Sequence, residues 1–155
     1  MVKTYKSTVS NISLKAEKSD FQKVKITQSS DAADFIRQFY GDDLEIYESF
    51  FLVLLNRANA TTGYVKISQG GTAGTVVDVK IVAKYAVESL SAGVILAHNH
   101  PSGETRPSKE DENITHRITK ALELFGIKVV DHIIIGPENS YFSFEEHGML
   151  TKYID

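Results

Sequence analysis

The sequence predicts a single α/β domain with one mixed β-sheet and flanking helices. Its 155 residues are enough for one compact core, and two separate cores are not expected at this length. Hydrophobic residues make up 42% of the chain and charged residues 24%, which is typical of an ordered globular protein. Apolar runs of strand length also alternate along the chain with amphipathic runs of helical period, and that alternation indicates helices packed on a sheet.

The N-terminal part of the chain predicts edge strands followed by a short helix. Residues 7–28 contain two weakly alternating stretches, "STVSNISLKAEK" and "QKVKITQ", which favour one or two strands at the edge of the fold. In "SSDAADFIRQFYGDD", serine and aspartate are candidate N-caps for a helix that Gly41 ends. The predicted apolar side of this helix carries Phe35, Ile36 and Phe39.

Two strands and a glycine-rich loop are predicted next. The run "ESFFLVLLN" indicates a strand buried on both faces, and "GYVKIS" is its predicted partner after a turn in "RANATTG". The loop "QGGTAGT" lacks the lysine of a phosphate-binding P-loop and the glycine spacing of a dinucleotide-binding turn. We therefore expect this loop to border a substrate groove.

The second half of the chain predicts two helices around a central strand, and then two closing strands. "DVKIVAKYAVESLSAG" and "SKEDENITHRITKALELFG" have helical spacing, "GVILAHNH" indicates the central strand, and "IKVVDHIIIG" and "SYFSF" indicate the closing strands. The predicted apolar stripe of the first helix is Val82, Tyr85, Ala86 and Leu90. That of the second helix is Ile114, Ile118, Ala121, Leu122 and Phe125.

Charge and composition narrow the classes of function. The formal net charge is −3, whereas proteins that grip phosphate backbones usually carry a basic excess, so charge does not support nucleic-acid binding. The absence of cysteine excludes disulfides and thiolate metal ligands and is compatible with a reducing compartment. We find no signal peptide and no apolar run near 18 residues, so we expect a cytoplasmic protein without a membrane partner.

Two histidines and an aspartate form a candidate metal site. His98 and His100 lie two residues apart at the end of the central strand, so their side chains point to one side while Asn99 points to the other. Ser108 is a candidate N-cap, and Asp111 then lies in the first turn of the following helix. A set of two histidines and one carboxylate leaves a fourth tetrahedral position open for water, which is typical of catalytic zinc.

Each of these features also has a structural interpretation. "SKED" is an ordinary helix-start signature, and two histidines in this arrangement can hydrogen-bond across a loop. Their combination with a rigid turn favours a metal site. Three other histidines are less suited: His116 lies on another side of its helix, His132 has the pattern of a satisfied core histidine, and His147 is predicted to be at the surface.

The motif residues carry a resemblance to a known family. His98, His100, Ser108 and Asp111 fit the pattern H-x-H, seven residues, S-x-x-D of the JAMM metalloproteases, whose domain is also called MPN+ or JAB. Their surroundings "VILAHNHPSG", "RPSKED", "VVDHIIIG" and "YFSFEEHG" resemble the RadC family of bacterial proteins within that superfamily. The resemblance implies a JAMM/MPN, or cytidine-deaminase-like, fold.

The resemblance extends from about Glu48 to Leu150 and implies one RadC-like domain over residues 1–155. Within it, residues 41–155 would form the metal-hydrolase core and residues 1–40 a family-variable N-terminal extension. This extension lacks the helix-hairpin-helix segment of longer RadC proteins, which weakens any inference to DNA.

The resemblance also implies roles for individual residues. The implied ligands of one zinc ion per chain are His98, His100 and Asp111. A glutamate from an upstream strand acts as general base in this superfamily, and Glu48 matches it, with Glu45 and Glu88 as alternatives. Ser108 would polarise the substrate carbonyl and stabilise the oxyanion, and it can cap its helix at the same time.

Three functions follow from these residues. The leading one is zinc-dependent hydrolysis of a peptide or isopeptide bond in a polypeptide substrate. The second is a DNA-repair-associated protein that acts on or near nucleic acid, because the RadC family carries a DNA-repair label. The third is a metal-binding scaffold without activity, against which the retention of all four motif residues argues.

Overall fold

The computed structural model describes residues 1–71 and 74–153, and within them the chain forms a five-stranded mixed sheet flanked by helices. The elements are α1 (Ser29–Arg37), β1 (Ser49–Leu55), β2 (Thr61–Gln69), α2 (Val79–Glu88), β3 (Gly93–Asn99), α3 (Lys109–Glu123), β4 (Lys128–Ile135), β5 (Tyr141–Ser143) and a 3-10 turn (Leu150–Tyr153). The predicted α/β class is confirmed. None of the helices in these two ranges combines the length and apolar character needed to cross a membrane.

Strand order in the sheet is β2-β1-β3-β4-β5, in which β3 and β4 are parallel and the other neighbours are antiparallel. One face packs against α1 and the other against α2 and α3. Successive strand residues point to opposite faces, so in β3 Ile95 and Ala97 face α1 while Leu96 faces α2 and α3. At the end of the same strand, His98 therefore falls on the α3 side and Asn99 on the α1 side.

An irregularity in β4 changes which of its residues face which layer. Its register against β3 shifts by one at Val130, which has no partner in β3. Because of this extra residue, Val129 and His132 both face the layer of α2 and α3, although an odd number of positions separates them. Asp131 is thereby turned toward α1.

The carboxylate of Asp131 joins three elements on the α1 side of the sheet. Its Oδ1 accepts the backbone N–H groups of His132 at 2.7 Å and Glu145 at 3.0 Å. Its Oδ2 accepts the hydroxyls of Ser29 at 3.0 Å and Ser143 at 2.7 Å. Asp131 is 3% exposed, and burial raises its pKa against the opposing effect of these hydrogen bonds. The network connects α1, β4 and β5, together with Glu145 shortly after β5.

The edge strands predicted for residues 7–28 are wrong. In this segment the only pairing is a single bridge between Lys25 and Ala60. The side chains of Val9, Ile12 and Leu14 are exposed. Val9 and Ile12 are three positions apart, so a strand would place them on opposite faces, and residues 7–18 have no continuous apolar side to bury. Near the bridge, by contrast, Ile26 is buried in the core on the α1 side and Val24 packs against it.

The ends of the helices also differ from the predicted ones. Helix α1 starts after Gln28, which is its N-cap in place of a serine or aspartate, and it ends before Gly41, at its last residue Arg37. Leu90 is 88% exposed and Phe125 60% exposed, because α2 and α3 end before the predicted stripes do. The fully buried members of those stripes are Val82, Ala86, Ile118 and Leu122.

Replacement of Asp131 tests the network on the α1 side. Asp131→Ala removes an acceptor of the backbone N–H groups of His132 and Glu145 and of two buried serine hydroxyls, so we expect it to lower the free energy of unfolding by about 2–3 kcal/mol. Asp131→Asn should lower it by only about 1 kcal/mol, because Oδ1 is retained and the two serine hydroxyls can rotate to accept from the amide. Urea unfolding measures both, and equal losses in the two variants would contradict this account.

Candidate metal centre

The site lies where β1, β3 and α3 meet. His98 is the residue before the last one of β3, His100 directly follows that strand, and Asp111 is in the first turn of α3. Strand β1 is antiparallel to β3 with Phe50 opposite His98, so extending the register by two residues brings Glu48 beside His100. Potential ligand atoms of Glu48, His98 and His100 all lie within 4.8 Å of one another.

The histidine nitrogens and the Asp111 carboxylate converge on one point. His98 Nε2 lies 3.1 Å from Asp111 Oδ1, and His100 Nε2 lies 3.0 Å from Asp111 Oδ2. The two Nε2 atoms are 3.0 Å apart. Ligand atoms of a tetrahedral zinc ion with bonds near 2.05 Å are separated by about 3.3 Å. An ion could therefore be held by these three side chains with displacements of a few tenths of an ångström.

The ring of His100 is oriented by the loop that follows it. Its Nδ1 donates to the carbonyl oxygen of Glu104 at 2.7 Å. A carbonyl oxygen can only accept, so a neutral His100 presents the lone pair of Nε2 toward Asp111 and His98. The hydrogen bond to Asp111 raises the pKa of His100, against the opposing effect of burial. Asp111 thus favours a positive charge beside His100 Nε2, which is the position that a metal cation would take.

The N-terminus of α3 fixes the Asp111 carboxylate. Ser108 Oγ accepts from the backbone N–H of Asp111 at 3.1 Å, and the backbone N–H of Ser108 donates to Asp111 Oδ2 at 2.8 Å. Burial alone would raise the pKa of Asp111, but hydrogen bonds from His100 and His98 outweigh it and hold that pKa well below its usual range. The capping box and the candidate ligand are the same residues, so the two interpretations of "SKED" coexist.

The glycine-rich loop contacts Glu48. The carboxylate Oε2 of Glu48 accepts the backbone N–H of Thr75 at 2.9 Å, and the carbonyl of Glu48 accepts from Gly70 at 2.9 Å. A Cβ on Gly70 would lie 1.8 Å from the carbonyl oxygen of Gly74, so only glycine permits this close approach. Residues 72–73 of the loop lie outside the described part of the chain. The loop orients a candidate catalytic carboxylate, and the groove predicted beside it stays a prediction.

Asn99, between the two histidines, holds the segment that leads to Glu48. Its side chain is fully buried on the α1 side of the sheet. Its Oδ1 accepts the N–H of Ser49 at 2.9 Å, and its Nδ2 donates to the carbonyls of Leu44 at 2.6 Å and Tyr47 at 2.8 Å. This role of Asn99 was not predicted from the sequence, although a polar residue at the end of a buried strand, opposite the histidines, is a signal that could have indicated it.

His132 contacts a candidate ligand. As predicted for a core histidine, it is fully buried and its ring nitrogens have partners, and burial lowers its pKa well below the usual value. Its Nε2 lies 2.8 Å from His98 Nδ1, and its Nδ1 lies 2.6 Å from Thr115 Oγ1. The contact between His132 and His98 was not predicted from the sequence.

The remaining candidates lie elsewhere. Glu45 is exposed in the segment before β1, and Glu88 is the last residue of α2, at the opposite end of β3 from His98. Neither belongs to the group of ligand atoms formed by Glu48 and the two histidines in the described chain. His116 is on an exposed side of α3, and the ring of His147 stacks on Phe142.

A mixed sheet with a His-x-His pair at the end of its central strand and an aspartate at the head of the next helix defines a JAB-type, or MPN, domain. The chain belongs to the RadC family, because the RadC-like JAB domain matches residues 26–149. The match begins at residue 26, and the division at residue 40 into extension and core stays a prediction.

Several curated bacterial proteins are similar to this chain. A UPF0758 protein of Flavobacterium johnsoniae is 42% identical over 125 residues, which are 81% of this chain and 53% of that protein. The UPF0758 protein of Porphyromonas gingivalis is 42% identical over 103 residues, covering 66% of this chain and 45% of its own length. The UPF0758 protein YfjY of Escherichia coli is 44% identical over 103 residues, which are 66% of this chain and 64% of that protein. The chain spans about half the length of most of these relatives.

Metal content tests the three convergent side chains. After reconstitution with zinc and dialysis, we expect about one equivalent per chain in the wild type and none in the His98→Ala, His100→Ala double variant, because one carboxylate alone does not hold the ion. His116→Ala, which removes an imidazole on the exposed side of α3, should keep the wild-type content. Elemental analysis measures all three, and equal zinc in the double variant would remove the site.

A conservative change at Asn99 tests the hydrogen bonds that hold the segment leading to Glu48. Asn99→Asp keeps the acceptor for Ser49, but its second oxygen would face the carbonyls of Leu44 and Tyr47, which cannot donate. We expect urea unfolding to show a loss of about 3 kcal/mol. Asn113→Asp, on an exposed turn of α3, is the control and should change stability by no more than about 0.5 kcal/mol. Similar stability of the two variants would show that the contacts of Asn99 are dispensable.

Proposed function

We propose that the protein is a zinc-dependent hydrolase of the JAMM type that cleaves a peptide or isopeptide bond. The observation that carries the proposal is the convergence of His98 Nε2, His100 Nε2 and the Asp111 carboxylate, with separations of 3.0 to 3.1 Å. Imidazole and carboxylate are ligands that suit zinc, and three of them leave one coordination position for a reactant. Zinc bound there would act as a Lewis acid and lower the pKa of a coordinated water toward about 7.

Glu48 is the proposed general base. Its ligand atom lies within 4.8 Å of the histidine nitrogens, so the carboxylate is within reach of a water held at the candidate metal site. The N–H of Thr75 holds one carboxylate oxygen, so the carboxylate is oriented before the substrate arrives. In the proposed reaction Glu48 takes a proton from the water while the water oxygen bonds to the carbonyl carbon of the substrate. Glu48 then delivers that proton to the amine that leaves when the C–N bond breaks.

Ser108 is proposed to stabilise the oxyanion. Its Oγ accepts the N–H of Asp111, and this contact leaves the hydroxyl proton for another acceptor. Capping fixes the position of the hydroxyl at the head of α3, close to the candidate ligand Asp111. A hydroxyl held in advance at this position can donate to the substrate carbonyl oxygen as negative charge develops on it.

A polypeptide is the proposed substrate, and two observations support this class. The chain matches the RadC-like JAB domain, and its His98, His100, Ser108 and Asp111 resemble the motif of the JAMM metalloproteases. Strand β2 is at one end of the described sheet and stops at Gln69, directly before the loop that contacts Glu48. An extended peptide can add to an edge strand through backbone hydrogen bonds, and such a peptide on β2 would extend toward the site.

The other functional expectations stay predictions. Association with nucleic acid has no support from the net charge of −3, and a scaffold role would not use the oriented carboxylate of Glu48. A cytoplasmic location likewise stays a prediction from the sequence.

Glu48→Gln is the direct test of the proposed reaction. The amide has nearly the shape of the carboxylate but cannot take a proton, so turnover should fall by about a hundred- to ten-thousand-fold while the zinc content is unchanged. The assay uses a peptide and isopeptide library on which the wild type shows turnover that a chelator abolishes.

Glu45→Gln and Glu88→Gln are the matched controls, because both remove an exposed carboxylate that the sequence offers as an alternative base. Both should keep wild-type turnover. Near-normal turnover of Glu48→Gln would exclude Glu48 as the base, and loss of zinc from that variant would make it a ligand or a support for one.

A further inference from the structure

A chain of hydrogen bonds runs from the backbone of α3 to the ring of His98. Thr115 Oγ1 lies 2.6 Å from the carbonyl oxygen of Asp111 and 2.6 Å from His132 Nδ1. His132 Nε2 lies 2.8 Å from His98 Nδ1. The other ring nitrogen of His98, Nε2, is the atom that faces Asp111 Oδ1. This series of hydrogen bonds therefore begins at the backbone of Asp111 and ends at its side chain, which is one of the candidate ligands.

The direction of each hydrogen bond can be assigned from the first contact. The carbonyl oxygen of Asp111 has no proton to give, so the single hydroxyl proton of Thr115 must lie between these two oxygens. Thr115 Oγ1 can then only accept from His132, and His132 Nδ1 must carry the proton of that contact. This assignment uses no assumption about a metal.

The same elimination continues to His98. The ring of His132 is 0% exposed, and neither of its two hydrogen-bonding partners, Thr115 and His98, is a carboxylate, so the neutral form with one N–H is the form that burial favours. That one proton is on Nδ1, which makes Nε2 an acceptor. His98 Nδ1 must therefore donate to His132 Nε2, and a neutral His98 has its lone pair on Nε2.

We infer that His132 and Thr115 are positioning residues that hold His98 in the Nδ1–H tautomer, so that its Nε2 lone pair faces the cation site. The tautomer is assigned from hydrogen bonds alone, and the inference rests on the proposed function only for the role of the Nε2 lone pair as a metal ligand. Zinc and similar divalent metals bind the unprotonated nitrogen of a neutral histidine. The hydrogen bond made by the other ring nitrogen determines which nitrogen is unprotonated. Without the relay, His98 could place its proton on Nε2 and block its own ligand atom.

Packing around His132 keeps the relay in place. Its ring stacks on Phe144 with ring centroids 4.6 Å apart, and the ring of Phe50 meets it edge-on at 5.7 Å. Rotation of the imidazole about its bond to the chain would have to displace these rings. Thr115 is one helical turn after Asp111, which places its hydroxyl within reach of the Asp111 carbonyl. The relay therefore connects two candidate ligands through rigid elements.

The first experiment compares Thr115→Val with Thr115→Ser. Valine has nearly the shape of threonine without the hydroxyl, whereas serine keeps it. Nitrogen-15 NMR of the imidazole nitrogens in the metal-free protein near pH 8 reports which nitrogen is protonated, and competition with a chromophoric chelator gives the zinc affinity.

We expect the wild type and Thr115→Ser to show His98 and His132 both protonated on Nδ1. In Thr115→Val the acceptor of His132 is lost, so we expect a mixture of tautomers at both rings. Zinc affinity should then be about ten- to a hundred-fold weaker than in Thr115→Ser. A purely structural role for Thr115 would lower the free energy of unfolding and leave the tautomers and the zinc affinity unchanged.

A second pair of variants covers the case in which Thr115→Val does not fold. His132→Gln offers an amide oxygen to His98 Nδ1 and should keep its tautomer and most of the zinc affinity, whereas His132→Leu should lose both. A wild-type His98 protonated on Nε2 would overturn the inference, as would unchanged tautomers and zinc affinity in Thr115→Val or His132→Leu. If the tautomers are as assigned and the wild type binds no zinc, the relay stands and the proposed metal site fails.

Discussion

The burial of β3 on both of its faces is the constraint on which the rest of the site depends. A strand covered by helices on both sides has no solvent to satisfy polar side chains, so each polar residue at its end needs protein partners. His98 finds them in α3 and β4, and Asn99 finds them in the segment before β1. The need to satisfy two adjacent polar residues on opposite faces thus brings the candidate ligands and the candidate base to the same end of the sheet.

The sequence predicts the parts of the site that depend on local structure. His98, His100 and Asp111 belong to one strand-turn-helix unit, so alternation in the strand and a capping signature are enough to place them near one another. Glu48 is different, because its distance from the histidines depends on the register of β1 against β3, which the sequence pattern alone does not give. Its assignment from the sequence came from the family resemblance.

The role of His132 could not be predicted because it depends on the register shift at Val130. Strict alternation through "KVVDHIIIG" would place Val129 and Asp131 on one face and His132 on the other. The extra residue places Val129 and His132 on the α3 side and Asp131 on the α1 side, where its network holds the shift in place. Leu90 and Phe125 show a related limit, since periodicity predicts the face of a helix but not the residue at which the helix ends.

The local features that specify the fold also set the chemistry of the site. The capping box that starts α3 orients the Asp111 carboxylate, and the glycines that allow the tight loop after β2 bring Thr75 to Glu48. Both contacts are made within the described chain and involve no ion. The candidate ligand Asp111 and the candidate base Glu48 are therefore oriented by the same hydrogen bonds that shape the start of α3 and the loop after β2, so a change that loosens either feature would also disturb the candidate site.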